Sequence, residues 1–103
     1  MTTYLVSRHE GAVEWVRTQG WAVDEVVPHL DPATLQAGDN VIGTLPVHLA
    51  AAVCEGGGRY FHLEMDLPPT KRGAELTPAE MDACGARLRE YWVRSAGSGQ
   101  PED

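Results

Sequence analysis

Two short segments hold most of the residues able to do chemistry: Ser7-Arg8-His9-Glu10-Gly11 and Val41-Ile42-Gly43-Thr44-Leu45-Pro46. An arginine can fork two N–H groups onto phosphate oxygens, and a histidine that titrates near neutrality can move a proton. A glycine lets the backbone approach a ligand, and free N–H groups at a helix start attract anions. Ser7, Arg8 and His9 on one side, with Gly43, Thr44 and Leu45 on the other, therefore suit a phosphate-bearing substrate. The plain alternative is an exposed loop and a well-capped helix. There is no phosphate-loop lysine and no Gly-x-Gly-x-x-Gly, so dinucleotide binding is disfavoured.

A second candidate is Lys71-Arg72-Gly73, an adjacent basic pair that could close over a polyanion or simply be solvated. Asp66 could orient a base or terminate a strand. His29, His48 and His62 share no metal-ligand spacing with cysteines or carboxylates, and the acidic residues are scattered, so no metal site is expected. Cys54 and Cys84 are too few and too far apart for a disulfide framework; both read as small core hydrophobes. Trp15, Trp21 and Trp92 are expected to pack.

Periodicity sets the elements that carry these residues. Thr3 to Ser7 reads as a strand apolar on both faces, followed by a helix from about Gly11 to Thr18 that Gly20 stops. Glu25 to His29 is a second strand, which Pro28 confines to an edge or cuts short. Asn40 to Gly43 is a third, short strand. Thr44 is expected to cap the next helix with Pro46 in its first turn, and Gly56-Gly57-Gly58 ends that helix. Tyr60 to Met65 is a fourth strand. Thr77-Pro78-Ala79-Glu80 is a capping box opening a last helix, which buries Met81, Cys84, Leu88 and Tyr91 or Trp92.

Alternating strands and helices predict a small Rossmann-like α/β domain over residues 1–94, an open, mostly parallel four-stranded sheet of order 2-1-3-4 flanked by helices. Residues 95–103 read as a disordered polar tail. In that order the first and third strands are neighbours whose chains depart in opposite directions, so Arg8-His9 and Gly43-Thr44 flank the switch point where ligands of such sheets bind.

Composition narrows the function classes. The chain has 103 residues, a net charge of −7 and no apolar run near the roughly 20 residues a membrane helix needs. Non-specific binding of long nucleic acid requires many cations and is not expected. Nor is a membrane partner, and the N-terminal segment lacks the pattern of a signal peptide, so a cytoplasmic location is expected.

Thr3 to Trp15, His29-Leu30-Asp31, Asp39 to Pro46, and Leu67-Pro68 through Arg72 to Thr77 resemble a small CRISPR-associated family, Csx number sixteen. The resemblance implies a place in type III CRISPR defence, whose cyclic oligoadenylate messengers activate effector nucleases through Rossmann-like sensor domains. It further implies a ring nuclease that cuts such a messenger, cyclic tetra-adenylate first among them, without metal or other cofactor. On that picture Arg8 and the Gly43, Thr44 and Leu45 amides bind the scissile phosphate. His9 serves as general base or leaving-group acid, and Lys71 and Arg72 close over the ring. The ring's repeating symmetry suggests a homodimer. A sensor or sponge that holds the messenger uncut is the alternative, and a protein-binding adaptor with an exposed patch at Trp21 or Trp92 is a third reading.

Overall fold

A computed structural model describes residues 1–101 of the chain. Strands β1 (Thr3–Val6), β2 (Glu25–Val27), β3 (Asn40–Gly43), β4 (Arg59–Glu64) and β5 (Arg87–Tyr91) alternate with helices α1 (Glu10–Thr18), α2 (Val47–Glu55) and α3 (Pro78–Ala83). They form one five-stranded sheet of order β2-β1-β3-β4-β5. The first four strands are parallel, with Tyr4 level with Glu25 on one side and Val41 on the other; β5 runs antiparallel to β4.

Because side chains alternate across a strand, each central strand feeds two cores. Leu5, Ile42 and Phe61 point to the face covered by α1 and α3, where they pack with Ala12, Trp15, Val16 and Met81. Val41 and Tyr60 point to the opposite face and meet Ala50 and Val53 of α2. Burying each of Leu5, Ile42, Val41 and Val53 contributes roughly 1.5–3 kcal/mol before ordering costs. Trp15 is buried to its ring nitrogen, which donates to the Asp82 carboxylate at 2.7 Å and so ties α1 to α3.

The expected order of the first four strands is found, and the fifth strand is a correction. Met81, Cys84, Leu88 and Tyr91 recur at helical spacing, yet α3 stops at Ala83. Gly85 takes a left-handed backbone (φ +71°). Its N–H donates to the Asp82 carbonyl, and the Ala86 N–H donates to the Met81 carbonyl. That double closure is a Schellman stop. Beyond it, Arg87-Leu88-Arg89-Glu90-Tyr91 alternates as a strand against β4. The capping box itself is present, with Thr77 and Glu80 each bonding the other's backbone.

Strand β2 lies at the sheet edge and stops at Val27, just before Pro28, as expected. Two smaller corrections matter. Pro46 is the N-cap of α2, so Thr44 caps nothing. Trp92 stands 87% exposed, whereas Trp15 and Trp21 pack as expected. Cys84 is buried and Cys54 half-buried. Residues 95–101 hold no helix or strand, and the rest of the tail, 102–103, lies outside the described residues. No helix among the described residues is long and apolar enough to cross a membrane.

Candidate functional site

The β2-β1-β3 order sets the carboxyl ends of β1 and β3 side by side, with α1 leaving toward one face and α2 toward the other. Residues just past both strands meet in a cleft of about 330 Å³ walled by Arg8, His9, His29, Thr44, Leu45 and Pro46. A second, more apolar cavity of about 250 Å³ lies on the α1 side of the same strand ends. Val6, Ser7, His9 and Thr44 border both, forming a ridge between them.

Arg8 reaches across the end of β1 to β2, where its guanidinium lies 2.5 Å from His29 Nε2. An arginine only donates, so Nε2 must accept, which leaves His29 neutral with its proton on Nδ1. Arg8 therefore keeps a full positive charge beside an uncharged partner. His29 was not among the expected site residues. The signal was there, since a strand neighbouring β1 must end beside it, and Pro28 closes that strand one residue before His29.

His9 is the N-cap of α1, with an extended backbone (φ −108°, ψ 120°) and no side-chain cap. Its imidazole is thereby free to face outward, and Nδ1 lies 2.6 Å from a carboxylate oxygen of Glu75. With Nδ1–H donating to Glu75, the neutral ring presents Nε2 as a lone pair. Ser7 stiffens this corner, since its hydroxyl accepts the His9 N–H at 3.1 Å. Glu75 comes from the loop 65–77, and no spacing signal marked it. What brings it to His9 is Gly11. A Cβ there would fall 1.8 Å from the Leu76 carbonyl oxygen, so only glycine lets this loop lie on the first turn of α1.

Gly43 has a similar role at the other strand end. A Cβ at that position would meet the Val6 carbonyl oxygen at 2.9 Å and force β1 and β3 apart. Past it, the Leu45 N–H donates to the Tyr60 hydroxyl at 2.8 Å, and that hydroxyl lies 3.1 Å from the Gly43 carbonyl and 2.6 Å from His62 Nδ1. All three contacts are satisfied when Tyr60 donates to Gly43 and His62 Nδ1–H donates to Tyr60. Burial, the largest influence, raises the Tyr60 phenol above its ordinary value, so it stays protonated. Tyr60 thus pins the 43–45 turn from behind.

That bond withdraws the Leu45 amide from any ligand, correcting its expected role. The Thr44 N–H has no acceptor among the described residues, and neither do the Val47 and His48 N–H groups at the α2 start, where the first bonded amides are Leu49 and Ala50. Lys71 and Arg72 are not brought to the ridge. The Lys71 ammonium lies 3.7 Å from Glu80, and neither residue lines the cleft or the cavity. His48 is exposed away from both, and Asp66 lies beside Arg87 at 3.8 Å. No group of three His, Cys, Asp or Glu side chains among the described residues is placed to hold a metal ion.

Compared with known proteins, residues 4–94 match the model of the family described as "Putative CRISPR-associated protein (Cas_VVA1548)". The chain belongs to this CRISPR-associated family. No curated protein and no solved structure matches it. Family membership thus agrees with the CRISPR association that the sequence motifs suggest, across all five strands and three helices.

Proposed function

We propose that this member of the family is a ring nuclease that opens cyclic oligoadenylate, cyclic tetra-adenylate first among the candidates, and so switches off type III CRISPR signalling. The observation that carries the reading is the ridge. His9, its tautomer set by Glu75, stands beside the free charge of Arg8 and the unbonded Thr44 amide. That is a proton-transfer group next to an anion site, on the ridge between two cavities that could each hold part of a nucleotide chain.

The chemistry uses the substrate's own nucleophile. A ribose 2′-oxygen attacks the adjacent phosphorus, the P–O2′ bond forms, and the P–O5′ bond breaks. The products are a 2′,3′-cyclic phosphate and a 5′-hydroxyl. His9 Nε2 takes the 2′-hydroxyl proton or, when protonated, gives one to the leaving O5′. Arg8 and the Thr44 N–H stabilise charge gathering on the non-bridging oxygens, and the rigid strand ends hold nucleophile and phosphorus in line. Two copies of the chain about a twofold would present this site to opposite faces of a symmetric ring, concentrating Arg8 in a protein of net charge −7.

A ring carrying 2′-O-methyl groups tests the mechanism. The expected result is equal binding of methylated and unmodified cyclic tetra-adenylate, with cleavage of the unmodified ring alone. Cleavage of both would mean an external nucleophile and overturn the mechanism. Binding of both with cleavage of neither would make the protein a messenger sponge.

A further inference from the structure

The α1-side cavity has no part in the phosphate chemistry at the ridge, yet it adjoins it. Its walls are Leu5, Ala12, Leu63, Met65, Leu76 and Met81, closed on the loop side by Gly73 and Ala74. The polar side chains among its lining residues are those of Ser7, His9 and Thr44, all on the ridge. At about 250 Å³ it falls below the roughly 300 Å³ at which pockets for whole drug-sized ligands begin. It is therefore sized for one flat ring system rather than for a complete nucleotide.

We infer that this cavity is a nucleobase site, receiving the adenine of the nucleotide whose phosphate rests on the ridge; the inference deepens the ring-nuclease reading and rests on it. Three features fit a base better than an aliphatic chain. The thioethers of Met65 and Met81 are polarizable and pack well against aromatic rings. Neither the N–H nor the carbonyl of Gly73 is hydrogen-bonded among the described residues, so a donor and an acceptor stand beside the loop wall for the base's polar edge. Ser7, His9 and Thr44 border both this cavity and the Arg8 cleft, so a ribose on that side would bring its 2′-hydroxyl to His9. The second cleft, with Arg8 and His29, then takes the next nucleotide of the ring.

Methyl-detected NMR of the whole protein separates this claim from cleavage. Adenosine, which has no phosphate, should shift the Leu63, Met65, Ala74, Leu76 and Met81 methyl signals, and ribose 5-phosphate should leave them in place. Ala74→Phe, a change on an exposed loop residue that fills the cavity, should abolish those shifts and weaken cyclic tetra-adenylate binding at least tenfold with an unchanged melting temperature. Adenosine shifts confined to residues around Arg8 and His29, or an Ala74→Phe variant that binds the ring as wild type does, would overturn the base site. Ring cleavage with no adenosine shift in the cavity removes this inference and leaves the nuclease standing. Adenosine seated in the cavity with no ring cleavage upholds it and removes the nuclease.

Discussion

Two arginines at opposite ends of the sheet show what separates a structural charge from a usable one. At the amino end of β4, Arg59 makes two 2.9 Å bonds to the two oxygens of Glu90 and lies 5.0 Å over the Phe61 ring. The pairing pushes the Arg59 guanidinium up and the Glu90 carboxyl down from their ordinary values. At the carboxyl end of β1, Arg8 is held by a neutral imidazole. One guanidinium is neutralised and the other is merely oriented. The same contrast holds for the two ends of the sheet. At the amino end, Asp39 accepts the Thr2 and Gln36 N–H groups and Asp24 accepts that of Thr3. At the carboxyl end the Thr44, Val47 and His48 amides remain free. Polar groups are saturated at the amino end and left unmet at the carboxyl end, where the proposed site lies.

Mutations can erase this contrast, beginning with His9, the proposed proton-transfer group. His9→Ala should slow ring cleavage by about 10²- to 10⁴-fold in single turnover while sparing ring affinity; an unchanged rate would remove His9 from the mechanism. Arg8→Ala should weaken binding of cyclic tetra-adenylate by about 10- to 100-fold, the range for losing a charged hydrogen bond. Arg59→Ala, by contrast, should leave affinity unchanged and slightly lower the melting temperature. Equal affinity losses in the two arginine variants would abolish the distinction. Glu75→Gln, which can still accept a bond but carries no charge, should slow cleavage while leaving ring affinity unchanged, because the His9 ring is held less firmly in its tautomer. An unchanged rate would make Glu75 a packing residue only.

The structural end has its own test in acid. Backbone bonds from Gln36 and Thr2 hold Asp39 below its ordinary 3.8, and Thr77 and Arg59 do the same for Glu80 and Glu90. Groups that bind protons more weakly folded than unfolded add stability above their ordinary values and lose it as pH falls through the lowered ones. The melting temperature should therefore drop as pH falls below about 4. Asp39→Asn should flatten that drop, and an equally steep drop in the variant would exclude Asp39 as a cause.

How far the sequence revealed this site depends on the range of each signal. The parallel order of β2, β1, β3 and β4 was legible because strand–helix alternation and right-handed crossovers leave few arrangements. The capping box at Thr77 was legible because its bonds span three residues. The end of α3 was not, because Met81, Cys84, Leu88 and Tyr91 fit a helical period that Gly85 interrupts by a backbone stop rather than a change of pattern. Ser7, Arg8, His9 and Gly43 stood out by position at strand ends. Glu75 and Tyr60 did not, since each acts through a contact long in sequence and set by close packing, Gly11 against Leu76 in one case and β4 behind the 43–45 turn in the other. Lys71 and Arg72 stood out as a basic pair, but that carried no information on direction, and Lys71 turns to Glu80.

The most direct test is incubation of the purified protein with cyclic tetra-adenylate in EDTA, with products separated by chromatography and weighed by mass spectrometry. Short linear adenylates ending in a 2′,3′-cyclic phosphate are the predicted outcome. A ring recovered intact, whether bound or free, would contradict catalysis at the His9 ridge.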